Sequence, residues 1–302
     1  MLQDLNSGFI SPWQFIPIVN KTEWAKRSFS RSRDRIHSFI YKAIEKSLAT
    51  YSSVTDKNKL PLVCILAEMP QYCGKEGRTA LMHEMLLVLF AGHDTTSHTC
   101  SFAFGEIARR PEVQKNILAE VRGIFGDLVK VDPKEVLPEH LNKFNYTTAV
   151  MRETLRVYPA IVVFNAHVKD DLDICGKMIP ADTDILCNVR GILMDPELFP
   201  SPEKFDPERW TTSVANSKAN AYIEEKSSMV NQCIPEVAFN VGPHTCLGRN
   251  LATLELRCLI ALLINAFHLE LKESNGINPK VYFTMKPEGG IWINFKKRCS
   301  TM

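Results

Sequence analysis

The 302-residue chain is predicted to be mainly α-helical, with small β-sheets near its C-terminal part. Long stretches set apolar side chains three and four residues apart, the helical spacing, and the period changes only beyond Pro159. Prolines fall between these stretches, where helices start and stop. Apolar residues make up 45% of the chain and charged ones 23%, the balance of a globular protein. A net charge of +2 argues against nucleic-acid binding as its main task.

In chain order, residues 1–22 carry Pro12, Pro17 and apolar aromatics, which predicts loop or short helix. Residues 23–49 predict a basic amphipathic helix with Ile36, Phe39, Ile40 and Ile44 on one face and a solvated basic side. Residues 50–77 are weakly patterned. Residues 78–110 form the longest helical run. Its middle, MLLVLFAGHDTTSHTCSFAF, is apolar on nearly all sides, which predicts a helix buried in the core. Pro111 ends that run and opens the next helix at its first position, and Gly126 follows as a C-cap. Another helix runs from about 146 to 157 and stops before Pro159. IVVFNAHV, DLDICG and DILCNV predict short strands. Pro196, Pro200, Pro202 and Pro207 mark an irregular meander, and polar residues 211–235 a surface loop. Residues 249–267 predict a strongly apolar helix. The tail predicts a hairpin pairing VYFTM with IWINF across a KPEGG turn.

Nine cysteines occur: Cys64, Cys73, Cys100, Cys175, Cys187, Cys233, Cys246, Cys258 and Cys299. None forms a CxxC pair and most sit in apolar runs, the pattern of reduced thiols in a cytosol-facing protein. There is no HExxH, and His93 and His98 stand five apart, off one helical face, so no histidine metal site is expected. No run approaches the roughly 18 apolar residues of a membrane span. The N-terminal MLQDLNSGF lacks a signal-peptide layout. The C-terminal KKRCSTM fits a prenylation box at Cys299 loosely, and an ordinary polar tail is the preferred reading.

One cysteine is set apart. FNVGPHTCLG, residues 239–248, puts Cys246 just before an apolar helix start. A thiolate needs positive charge or amide donors, and a helix N-terminus offers both N–H groups and a favourable dipole. Gly242 and Gly248 let the backbone approach something flat and large, Pro243 stiffens the turn, and Phe239 can shield the sulfur. One thiolate without a second protein ligand suits haem iron held from one side. A buried cysteine at a glycine-rich helix entry is the structural alternative.

The loop resembles the haem-binding signature of the cytochrome P450 family, FxxGxRxCxG, with His244 where arginine is usual. Three further motifs agree in the family's order. AGHDTT, residues 91–96, is similar to its oxygen-binding stretch. ETLR, residues 153–156, looks like its ExxR pair. FDPERW, residues 205–210, resembles its meander motif. The resemblance is firm from residue 78 to 295 and weak for residues 1–77, taken as a helical remnant preceding a haem-binding core at 78–302. It implies an N-terminally truncated P450-like fold, since family members are commonly longer.

The resemblance further implies haem b, ligated by Cys246 and contacted by Phe239, Gly242, His244, Gly248, Ala91 and Gly92. Asp94 and Thr95 would relay protons, with the Thr95 hydroxyl bonding back to the Ala91 carbonyl and opening the helix locally. Glu153, Arg156 and Arg209 would form a buried structural triad, the planar arginine forks satisfying the carboxylate. Ala91, Ile161, Val162, Val163 and the 282–284 segment with Phe283 would line the substrate pocket. Two smaller departures are Asn165, Ala166 and His167, where a basic propionate partner is usual, and Asp182 in place of a turn glycine. The implied activity is monooxygenation of a small apolar substrate by molecular oxygen, with electrons from an NADPH-dependent reductase. The implied location is membrane-associated, on the cytosolic face of the endoplasmic reticulum. Two alternatives stay open: a haem-thiolate isomerase or lyase acting on peroxides, and a non-catalytic fragment.

Overall fold

The structure, a computed structural model, describes residues 23–126, 136, 138–211, 234–272 and 276–298. It is mostly helical with small antiparallel sheets, as expected. The predicted loops at 1–22 and over most of 211–235, and the tail at Cys299, lie outside the described residues. The chain divides into two compact units, Met1–His93 and Asp94–Met302.

In the first unit, α1 (Glu23–Thr50) is followed by α2 (Leu62–Ala67) and the start of α3 (Gly74–Arg109). Ile36, Ile40 and Ile44 recur every fourth residue and form one buried row with Leu81 and Met82 of α3. Phe39, expected on the same face, is exposed. It stands one residue before Ile40, which turns it off the row. The central apolar run of α3 is expected to be buried in the core. Leu87, Val88, Ala91, Gly92 and His93 are instead exposed. Apolar composition states what a helix can bury, and burial also needs a surface packed on it.

The second unit takes in the rest of α3, from Asp94 onward. Arg110 lies between α3 and α4 (Pro111–Phe125), whose first position is the proline. Gly126 closes α4 at φ +75°, its N–H donating to the Arg122 carbonyl at 2.8 Å. A short α5 (Pro138–Leu141) leads to α6 (Asn145–Val157). The Glu120 carboxylate caps α6, accepting from the Tyr146 N–H at 2.6 Å, the Thr147 N–H at 2.9 Å and the Thr147 hydroxyl at 2.7 Å. Phe102, Ile107, Ile117, Phe144 and Val150 lie in one core cluster. Tyr158 stacks on Phe102 at 4.3 Å and donates its hydroxyl to buried Glu106, which also pairs with Arg110. Burial, with the Glu106 charge beside it, pushes the Tyr158 pKa up.

Beyond α6 lie β1 (Phe164–Val168), β2 (Leu172–Ile174), β3 (Lys177–Ile179), β4 (Thr183–Cys187) and a one-turn α7 (Val189–Leu193). β1 pairs with β4, Phe164 opposite Cys187, and β2 with β3. After the meander, α8 (Arg249–Ala266) runs directly into β5 (Phe267–Leu271). The last strands are β6 (Pro279–Val281), β7 (Met285–Pro287) and β8 (Ile293–Lys297). The predicted hairpin is corrected here. VYFTM folds back on itself, β6 pairing with β7, while β8 pairs with β5, Phe267 opposite Lys297. Gly289 and Gly290, at φ +72° and +77°, redirect the chain between β7 and β8. Phe267 and Phe295 then meet edge to face at 5.7 Å. Buried Gln114 joins α4 to β5, accepting the Leu269 N–H at 2.9 Å and donating to the Leu269 carbonyl at 2.8 Å.

Candidate active site

The ETLR motif lies on α6, where a three-residue step brings Glu153 and Arg156 to one face. Both are buried, at 0% and 1% exposure. Arg156 grips the carboxylate with one edge of its guanidinium, Nε to Oε2 at 2.9 Å and Nη2 to Oε1 at 2.8 Å. Arg209, in the 3-10 turn Pro207–Trp210, adds Nε to Oε1 at 3.3 Å. Glu153, Arg156 and Arg209 thus come together. Two further donors were missed in the sequence: the Trp210 indole N–H to Oε2 and the Asp206 backbone N–H to Oε1, each at 2.8 Å. Trp210 stands next to Arg209 in the same motif, which is the signal that could have found it. Other arginine N–H groups go to main-chain carbonyls, Arg156 to Leu193 and Lys204 at 3.0 and 3.1 Å, and Arg209 to Ser201 at 2.9 Å, and Arg156 also donates to the Met194 sulfur at 3.6 Å.

The 3-10 turn Ile234–Phe239 leads from this assembly into the cysteine loop. Val237 belongs to a small buried cluster with Val189, Leu193 and Phe199. The loop closes where the Cys246 N–H donates to the Phe239 carbonyl at 2.8 Å. Gly242 sits at φ +72°, a conformation that favours glycine, and its carbonyl accepts the Thr245 N–H at 3.1 Å and hydroxyl at 2.8 Å. Phe239 is half-buried and His244 exposed.

The Cys246 thiol is exposed. α8 begins three residues later with Gly248, a residue without a side chain, at its N-cap, and the Arg249 N–H of its first turn donates to the Cys246 carbonyl at 3.2 Å. A Cβ added to Gly248 would stand 3.9 Å from Cys246 Sγ. Leu247, Leu251 and Leu254 follow the cysteine at helical spacing and are all exposed, Leu247 at 89%. Burial, reinforced by the Glu255 charge, pushes the Cys100 pKa up to about 11, and burial also raises that of Cys258.

Asp94 and Thr95 lie on α3. Asp94 is 8% exposed and its Oδ2 accepts the Thr284 hydroxyl at 2.5 Å, with His98 Nδ1 at 3.7 Å from the same oxygen. Thr95 is half-buried, and its carbonyl accepts the Thr99 hydroxyl at 2.9 Å. Thr284 carried no sequence signal, because nothing in VYFTM marks a partner 190 residues away. The loop holding Ile161, Val162 and Val163 is tied to neighbours through its main chain, the Arg190 N–H donating to Val162 at 3.2 Å and the Met285 N–H to Ala160 at 2.8 Å. Val163 and Phe283 are exposed, Ile161 and Val162 half-buried. Ala91 and Gly92 belong to the first unit, where both are exposed.

The sequence model of the Cytochrome P450 family matches residues 1–294, and the chain belongs to that family. It is 32% identical over 189 residues to Cytochrome P450 4d2 of Drosophila melanogaster, covering 63% of this chain and 34% of that protein. It is 29% identical over 222 residues to Cytochrome P450 4V2 of Homo sapiens, covering 72% and 38%. With Probable cytochrome P450 4s3 of Drosophila melanogaster it shares 28% over 254 residues, covering 84% and 46%. The chain thus spans from about a third to somewhat under half the length of these relatives. Family members bind haem b. The residues present fit such a group: an exposed cysteine just before a helix N-terminus, glycines beside it, and exposed leucines on the following turns.

Two outcomes follow from this geometry. Glu153→Ala strips a buried guanidinium of its charge partner and is expected to cost about 3–5 kcal/mol of stability, read by urea unfolding. At pH 8, iodoacetamide is expected to label Cys246 well before Cys100, as peptide mass spectrometry would record. With a pKa of about 11, only about one part in a thousand of Cys100 is thiolate at that pH.

Proposed function

We propose that the chain is the haem-binding part of a monooxygenase that inserts one atom of dioxygen into a small apolar organic substrate. The observation that carries this is the exposed Cys246 thiol, presented by a closed loop at the N-terminus of α8 in a chain of this family. Bound haem b supplies the redox chemistry: one oxygen atom enters the substrate, and the other leaves as water with two protons and two electrons. The electrons come from an NADPH-dependent reductase partner, as the resemblance implies.

The chain's own residues have distinct tasks. Cys246 would hold the haem iron through its sulfur, and as a thiolate it would lend electron density to the metal. His244, in the arginine's place, would donate a hydrogen bond to a propionate, and Gly242 and Gly248 would allow close approach of the flat ring. Thr95 and Asp94 hold and hand on protons, the carboxylate being kept in place by the Thr284 hydroxyl. Ile161, Val162, Val163 and Phe283 supply apolar surface for the substrate. Glu153, Arg156 and Arg209 do no chemistry; they fix the chain that carries the loop.

The reduced, carbon monoxide-bound protein should show the strongly red-shifted Soret band of a thiolate ligand, and Cys246→Ala should abolish it. Normal turnover by the alanine variant would sink the assignment. Thr95→Ala should retain that band while product formed per electron pair falls about 100-fold, the low end of the usual weight of one proton-transfer group. Undiminished turnover in Thr95→Ala would favour isomerase or lyase chemistry, which needs no such proton delivery.

A further inference from the structure

The turn between β6 and β7 is held at three points although its two strands are only three residues each. Met285 is buried in the main core, and its N–H donates to the Ala160 carbonyl at 2.8 Å. The Tyr282 N–H closes the turn on the Thr284 carbonyl at 3.1 Å. Thr284, only 3% exposed, turns its hydroxyl onto Asp94 Oδ2 at 2.5 Å. Between these anchors Phe283 projects with 65% of its surface exposed. Val281 and Tyr282 are exposed as well, so burial on that side does little to hold the turn. A buried hydroxyl needs a partner. Here the partner is a charged group on a different element, and such a bond is both stronger and more directional than a neutral one.

We propose that Thr284 is a positioning residue: its bond to Asp94 fixes the β6–β7 turn on α3 and so sets where Phe283 stands against bound substrate. The role rests on the function proposed above, in which Phe283 lines the pocket and Asp94 serves proton transfer. It makes one carboxylate the common reference for both the proton path and the substrate wall. Loosening the turn would therefore alter selectivity among substrates by size, rather than access of small ligands to iron.

The test uses the full chain loaded with haem and two nitrogen-ligating probes, imidazole and 1-phenylimidazole, titrated by the shift of the Soret band. Thr284→Val is expected to weaken 1-phenylimidazole about tenfold, the weight of one hydrogen bond to a charged acceptor. Imidazole is too small to rest on Phe283 and should change by less than about twofold. Thr284→Ser keeps the donor and should restore binding to within about twofold of the unsubstituted chain. In a Phe283→Ala background, Thr284→Val should have no further effect on the ratio of the two affinities. Equal weakening of both probes, failed rescue by serine, or an undiminished effect without Phe283 would overturn the proposal. Urea unfolding supplies a readout free of ligand. Thr284→Val and Asp94→Ala should be non-additive, the double variant being no less stable than Asp94→Ala alone, and additive losses would also overturn it. If the unsubstituted chain gives no azole band, the haem-thiolate reading fails by itself, and the unfolding cycle still decides whether Thr284 and Asp94 are coupled.

Discussion

Much of the second unit depends on a single carboxylate. Glu153 is fully buried, and an ion in that setting persists only when its charge is matched and its lone pairs are taken. Five donors from two places in the chain converge on it: two from Arg156 on α6 and, from the 205–210 motif, one each from Arg209, Trp210 and the Asp206 main chain. The two arginines also donate to the carbonyls of Leu193, Ser201 and Lys204. Leu193 ends α7, and Ser201 and Lys204 lie in the proline-rich segment after it, which has no strand partner among the described residues. The guanidinium groups do for this irregular chain what a neighbouring strand does in a sheet.

The thiol takes its position from this assembly at second hand. Leu193 and Phe199, carried by the segment that the arginines hold, pack with Val189 and Val237. Arg156 also lies over the Phe199 ring at 5.2 Å. Val237 stands two residues before Phe239, whose carbonyl closes the cysteine loop. From the buried pair to Cys246 the order is therefore ion pair, apolar cluster, 3-10 turn and loop. None of these parts is a long regular element, so each must be fixed by its own side chains.

The helices were legible because their apolar spacing repeats over many turns, and α1, α4, α6 and α8 lie close to their expected bounds. Phe39 shows the limit of that signal, since one residue of offset moves a side chain off the buried row. The exposed middle of α3 shows another, because a sequence records hydrophobicity and not what covers it. Strand partnering was misread at the tail for a different reason. VYFTM and IWINF both look like strands, but which strands pair depends on turn geometry and on β5, which is distant in sequence. The triad could be anticipated from two motifs. The Thr284–Asp94 bond could not, since a lone hydroxyl in a short turn carries no period, spacing or charge.

The bare leucines that follow Cys246 bear on more than ligand binding. Leu247, Leu251 and Leu254 lie on one side of the start of α8, all open to solvent. A face of that kind is attractive to any other apolar surface it meets, including a second copy of itself. Until something covers it, the folded chain resembles a late folding intermediate to its surroundings: prone to aggregate at high concentration and open to capture by chaperones. Its lifetime in a cell would then be set less by the stability of its core than by how quickly that one face is occupied.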